Sequence, residues 1–301
     1  MKINGIISFG VFIYSWVGSL ISIPASLVLS YYNYHYLTYS ILFYYIYRYF
    51  IPCRYSQYWK ELLMLKDYFN SENIILDKDA YIPEKNSKKM ICVSPHGILP
   101  MGFSILLTSY EFNKTFTKWL VTDLMTLLPF LNDFLVSRNI LSCSSSNMKK
   151  IMKNGDNIGI IPGGYEEATN YERGINKIYI KNRKGFIKYA LQFDYNIIPV
   201  YVFGEEYMYW MNLPSYIKNF SIFLNKYKIP GVIFIGKYFT FFPDNNIDVN
   251  IVIGKELKLP HISNPSQNDV DQYHMLYINS MVELFENNVE KYGNNKHLKI
   301  L

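Results

Sequence analysis

Histidine changes charge between about pH 5 and 8 without a perturbing neighbour, which suits it to general acid–base chemistry. The chain has five, and His96 stands apart within Cys92-Val93-Ser94-Pro95-His96-Gly97-Ile98-Leu99-Pro100. The apolar run Met90–Val93 reads as a buried strand that stops at a proline. One imidazole is thereby placed on a sharp turn at the carboxyl end of a strand, where ligands of α/β proteins bind. His96 is the candidate general base, with a plain hydrogen-bonding role as the alternative. A second stretch, Gly159-Ile160-Ile161-Pro162-Gly163-Gly164-Tyr165-Glu166-Glu167-Ala168, has the same layout of strand, glycine pair and carboxylates. Paired glycines let backbone approach a ligand closely. Glu166 and Glu167 could orient an imidazole or bind a hydroxyl. They also suit the first turn of a solvated helix, where the dipole favours acids.

The remaining candidates are weaker. His274 lies on an amphipathic helix and is expected to pack there. His35, His261 and His297 fall in a loop, a turn and the tail. Ser144, Ser145 and Ser146 form no Gly-x-Ser-x-Gly elbow, which excludes the usual serine hydrolase layout. The three cysteines, Cys53, Cys92 and Cys143, are far apart. They show neither a disulfide framework nor metal-ligand spacing, so no metal is expected and a reduced, cytosol-facing setting fits. The net charge of +6 favours anionic partners. A dense basic stripe is absent, so nucleic acid is not an expected partner.

These residues need a frame to hold them. From Ile6 to Leu29 no residue is charged, a run about long enough to cross a bilayer as a helix. A polar aromatic break (residues 30–36) separates it from a shorter apolar run, Leu37–Ile51, that spans or re-enters the membrane. Lys2, Arg48, Arg54 and Lys60 flank the pair, and the connecting loop has no Lys or Arg. Both ends are then expected in the cytosol. The run is too long for a usual signal-peptide core, with no convincing cleavage site. Residues 1–52 read as a membrane hairpin and 53–301 as a cytosol-facing catalytic domain. Within the latter, Met90–Val93, Asn157–Ile161, Ile197–Val202, Val232–Ile235 and Val249–Ile253 read as core strands. Gln57–Tyr68, Arg183–Phe193 and Val270–Tyr292 read as helices. The alternation predicts a layered α/β domain, with a central mostly parallel or mixed sheet flanked by helices.

With these blocks placed, the chain resembles the type 2 diacylglycerol acyltransferase family, which includes monoacylglycerol and wax-alcohol acyltransferases. The family's His-Pro-His-Gly stands here as Ser94-Pro95-His96-Gly97, and its Gly-Gly-x-x-Glu as Gly163-Gly164-Tyr165-Glu166-Glu167. Its Arg-x-Arg-Lys-Gly-Phe block stands as Asn182-Arg183-Lys184-Gly185-Phe186, and a further block as Pro199-Val200-Tyr201-Val202-Phe203-Gly204-Glu205. Val252–Pro260 and Asp271–Tyr277 also match. The departure is Ser94, where the first histidine usually stands.

The resemblance implies a membrane-bound O-acyltransferase. It would move a fatty acyl group from acyl-CoA, a co-substrate rather than a cofactor, to the hydroxyl of diacylglycerol. A monoacylglycerol, fatty alcohol or lysophospholipid is the alternative acceptor, and an inactive lipid-binding protein the alternative function. In this reading His96 is the base and Glu167 orients it or the acceptor hydroxyl, with Glu166 as substitute. Related glycerol-phosphate acyltransferases hold their histidine with an aspartate five residues on; Met101 stands there here. Pro95, Gly97, Gly163 and Gly164 shape the substrate site. Amides at Gly97 or at Gly163-Gly164 would hold the oxyanion, and the choice stays open. The resemblance turns Arg183 and Lys184, otherwise an ordinary solvated pair, towards the coenzyme A phosphates. It implies the endoplasmic reticulum membrane, or lipid droplets, and leaves a homo-oligomer open.

Overall fold

Near-continuous apolar strands are stable only where both faces of a sheet are covered, and here helices cover both. The computed structural model describes residues 3–51, 53–62, 67–210, 215–226, 232 and 234–301. Helices α1 (Ile3–Tyr31), α2 (His35–Phe50) and α3 (Gln57–Leu62) precede β1 (Ser71–Leu76) and β2 (Lys89–Ser94). Next come α4 (Met101–Thr108), α5 (Tyr110–Asn113), β3 (Lys118–Val121), α6 (Asp123–Leu127), α7 (Pro129–Val136) and β4 (Ile140–Ser142). They are followed by α8 (Ser145–Lys153), β5 (Ile158–Ile160), α9 (Tyr165–Thr169), β6 (Asn176–Ile178), α10 (Gly185–Phe193) and β7 (Asn196–Phe203). The chain closes with α11 (Ser215–Lys226), β8 (Asp248–Ile253), α12 (Gln267–Tyr292) and β9 (Leu298–Ile300).

Among the described residues, seven strands form one mixed sheet in the order β1-β8-β7-β2-β5-β3-β4. The β7–β8 pair is antiparallel and the other neighbours are parallel. β6 and β9 pair separately. Alternation along each strand splits the core into two layers. Ile91 and Val93 of β2, with Val200 and Val202 of β7, face a layer shared with α1 and α4. Met90 and Cys92, with Tyr201 and Phe203, face a layer shared with α8, α10 and α12. A capping box from Ser266 and Asp269 starts α12 at Gln267, three residues before the expected Val270.

The segment Val232–Ile235, expected as a core strand, contributes a single bridge, Ile235 with Trp210; residue 233 lies outside the described residues. Its Phe234 turns instead towards α1 and stacks on Trp16 at 5.9 Å. The expected helix Gln57–Tyr68 is seen from Gln57 to Leu62; residues 63–66 lie outside the described residues, and the chain is non-helical at Asp67 and Tyr68.

α1 does two jobs along its length. Phe9, Phe12 and Ile13 belong to the main core layer. Further on, Leu20, Ile21, Ile23, Leu27 and Val28 are exposed, as are Leu37, Leu42, Phe43 and Ile46 of α2. The two helices are tied by Ser22 Oγ to Tyr45 Oη at 2.5 Å and by Thr38 Oγ1 donating to Ser26 O at 3.1 Å. Arg48 and Tyr44 of α2 both bond Asp133 of α7, fixing the pair to the domain. Among the described residues α1 is the one helix long and apolar enough to cross a bilayer. The 16 residues of α2 reach ~24 Å, short of a ~30 Å hydrocarbon core.

Candidate active site

Two turns separated by about seventy residues of sequence meet because their strands are neighbours. β2 and β5 pair in parallel, so both chain segments leave the sheet at the same edge, where crevices form in α/β sheets. After β2 the Ser94–Pro95 peptide is cis, and Gly97 has φ +62°. A Cβ at Gly97 would stand 2.5 Å from Oε2 of Glu205, so this tight corner needs a glycine twice over. After β5, Gly163 leaves the space into which the Glu167 carboxylate folds back; a Cβ there would overlap it.

Glu167 joins the turns. Its Oε2 accepts the His96 N–H at 2.5 Å, and its Oε1 accepts the Tyr179 N–H at 2.7 Å. The carboxylate therefore grips the backbone that carries the imidazole rather than the imidazole itself. Burial raises its pKa to about 7 against the lowering effect of the two amides. The ring of His96 has Nδ1 3.0 Å from Gly97 O. A carbonyl only accepts, so Nδ1 carries the proton and Nε2 keeps its lone pair. Burial lowers the His96 pKa to about 4, which leaves the ring neutral near pH 7. Of the amides expected as oxyanion donors, that of Gly164 is already engaged, donating to Ile161 O at 3.2 Å; the His96 N–H next to Gly97 is taken by Glu167.

His96 borders a cavity of about 320 Å³. Its walls are apolar and come from distant elements: Phe12 and Trp16 of α1, Phe103 and Leu107 of α4, Phe134 of α7, and Ile160 of β5. Gly164, Glu166 and Arg183 also line it. Arg183 and Glu166 form an ion pair. Arg183 Nε and Glu166 Oε2 are nevertheless buried without hydrogen-bond partners. Lys184 departs from Arg183 and pairs with Asp271 of α12 at 2.7 Å, because it caps the start of α10 and points across to that helix. Pro95 is buried in the turn, and Ser94 lies beneath it beside Tyr277 of α12. His274 is buried with Nε2 2.9 Å from Ile180 O, a packing position.

Two residues escaped sequence reasoning. Glu205 is 1% exposed at the end of β7; its Oε1 accepts the Gly102 N–H at 2.5 Å, while Oε2 fills the space under Gly97. Burial holds its carboxyl well above the usual range. The signal was present in Phe203-Gly204-Glu205: an acid directly after a strand and a glycine. Arg138 is buried in the cavity wall, its guanidinium 3.5 Å from the Phe134 ring centroid, and burial lowers its pKa to about 9. Nothing in Ser137-Arg138-Asn139 announces that burial.

A neutral imidazole at the edge of an apolar cavity, with an arginine nearby, suits chemistry on an apolar substrate. The chain belongs to the diacylglycerol acyltransferase family, whose family model matches residues 28–301, and it is an acyl-CoA-dependent O-acyltransferase. It is 28% identical over 261 residues to mouse acyl-CoA wax alcohol acyltransferase 1, covering 81% of this chain and 78% of that protein. It is 30% identical to the human wax alcohol acyltransferase 1, covering 76% of this chain and 74% of the relative. Diacylglycerol O-acyltransferase 2 of Dictyostelium discoideum is 29% identical, covering 73% and 71%. Among solved structures, the 1-acyl-sn-glycerophosphate acyltransferase PlsC of Thermotoga maritima aligns over 95% of this chain and 98% of its own, at TM-score 0.46 and 12% identity.

Proposed function

We propose that this chain makes triacylglycerol at a membrane, transferring a fatty acyl group from acyl-CoA to diacylglycerol with His96 as general base. Nε2 of His96 takes the hydroxyl proton as the acceptor oxygen attacks the thioester carbonyl. The tetrahedral oxyanion then collapses, the C–S bond breaks, and the imidazolium returns its proton to the departing coenzyme A thiolate. A placed base of this kind typically contributes 10²–10⁴-fold. The observation that carries the reading is the committed tautomer: Nδ1 is held by Gly97 O, and Nε2 is left unprotonated.

In this reading the acyl chain occupies the apolar cavity, away from water. Arg183 exchanges its pairing with Glu166 for a phosphate of coenzyme A, and Glu167 acts as a positioning residue. The α1–α2 hairpin anchors the protein to the endoplasmic reticulum, its catalytic domain in the cytosol. A fatty-alcohol acceptor is the second reading, favoured by the names of two of the relatives. Labelled acyl-CoA offered to membranes carrying the chain, with each acceptor in turn, separates the two. His96→Ala is expected to lose transfer to every acceptor while remaining folded and membrane-associated. Wild-type turnover by that variant would remove His96 from the mechanism.

A further inference from the structure

The segment from Met208 to Pro243 has no Asp or Glu in 36 residues, yet it holds four lysines (Lys218, Lys226, Lys228 and Lys237) and eleven aromatics. Such a composition is unusual for a segment bathed in water and ordinary for chain lying at a bilayer surface, where aromatic rings and basic side chains concentrate. The described part ends in a tight loop. Gly236 N–H donates to Thr240 O at 2.7 Å, and Lys237 N–H to Phe242 O at 2.7 Å. Its tip is Tyr238 and Phe239, 83% and 93% exposed, both at positive φ. A solvated turn takes glycine, asparagine or aspartate at such positions. Two bulky rings held there against their backbone preference indicate a use for the rings themselves.

The loop is fastened to α1. Phe242 lies under Gly10, a Cβ of which would be 3.9 Å from the ring. Beside it run Ile7, Val11 and Tyr14, an exposed stripe at helical spacing. The tip therefore continues the apolar face of α1 onto the catalytic domain. On the other side α11 packs against α9, the helix of Glu166 and Glu167, and exposes Phe220 and Phe223.

We infer that the loop Gly236–Phe242, with the exposed aromatic face of α11, forms a second membrane-contacting element, in which Tyr238 and Phe239 insert into the headgroup region of an anionic lipid surface beside α1. The inference rests on the membrane anchorage proposed above. It makes the domain lie down on the bilayer with α11 and the neighbouring α9 close to the lipid, rather than swing on its hairpin.

The test uses the full-length protein reconstituted in phosphatidylcholine–phosphatidylserine vesicles. Cys53 and Cys143 are replaced by serine, leaving the buried Cys92. An environment-sensitive fluorophore is attached at Phe239→Cys, Leu27→Cys or Lys296→Cys, and a nitroxide-bearing lipid serves as quencher. Quenching at 239 and 27 but not at 296 supports the inference. Quenching at 27 with a water-like spectrum at 239 overturns it and leaves the anchorage standing. Quenching at neither overturns both. A probe at 239 that is dry, unquenched and cross-links to a second copy also overturns it, since the tip is then a protein contact. In the same vesicles Tyr238→Ser with Phe239→Ser is expected to raise KM for vesicle-borne acceptor about tenfold with kcat unchanged, the loss of a modest interfacial binding contribution. In pure phosphatidylcholine vesicles the wild-type KM is expected to move in the same direction.

Discussion

Glu167→Gln separates a residue that holds the backbone from one that tunes the ring. The wild-type carboxylate accepts two buried amide donors, at 2.5 and 2.7 Å. A carboxamide offers one acceptor oxygen and turns its NH₂ towards the other amide, donor against donor. One buried N–H without a partner costs about 1–3 kcal/mol. If the His96 turn relaxes by about 1 Å, the rate falls on the order of 10²-fold. The variant also changes how stability responds to pH. Folded Glu167 has its pKa raised to about 7 by burial, against an ordinary carboxylate value when unfolded. The folded state therefore binds more protons across that interval, and the wild type loses stability as pH rises from about 5 through 7. One pKa unit is worth about 1.4 kcal/mol, so the loss amounts to roughly 3 kcal/mol. Glutamine does not ionise, so this slope vanishes. Thermal unfolding in proteoliposomes between pH 5 and 8 reads the slope, and acyl transfer at saturating substrate reads kcat. The acid limb belonging to His96 is expected to stay where it was, because the carboxylate does not touch the ring. Unaltered kcat with an unaltered slope would refute the role assigned here; a shifted His96 limb would show that Glu167 acts on the imidazole after all.

Three further expectations follow from the same geometry. Because burial lowers the His96 pKa to about 4, kcat/KM should hold as pH falls through 6.5 and drop only near 4; a half-loss at 6.5 in a pH–rate profile would contradict the desolvated site. Gly163→Ala sets a methyl against the Glu167 carboxylate and should reproduce the rate loss of Glu167→Gln with about 1–3 kcal/mol of destabilisation, read by kinetics and thermal unfolding. Ser104→Phe places a ring in the wall of the 320 Å³ cavity and should raise KM for long-chain acyl-CoA far more than for short-chain acyl-CoA; equal effects on both would place the acyl chain elsewhere.

Legibility in the sequence followed the local physics. β2 and β5 were plain because their apolar runs stop abruptly at Pro95 and Pro162-Gly163. α12 was plain because its apolar stripe persists for six turns. β3 and β4 are not legible: they are four and three residues long, and no proline or glycine marks where they stop, as Pro162-Gly163 does for the equally short β5. The His96 turn, the glycine pair and Glu167 as the link between them could be named through the family resemblance, but not the form of the link, because Glu167 reaches the main chain rather than the ring. Arg183 and Lys184 are adjacent in sequence and diverge in space at a helix start. The cavity could not be read at all, since Phe12, Phe103 and Phe134 each look like ordinary core until three helices converge.

The shared wall of α1 bears on any attempt to divide this molecule. A fragment beginning after the hairpin would strip Phe9, Phe12 and Ile13 from the interior and open the Phe12 and Trp16 side of the apolar cavity to solvent. Mechanical coupling runs the other way as well. On the proposed anchorage, a change in bilayer thickness that tilts this one rod would also shift Phe12 and Trp16 in the cavity wall, which would make membrane physical state an input to how tightly a fatty chain is held.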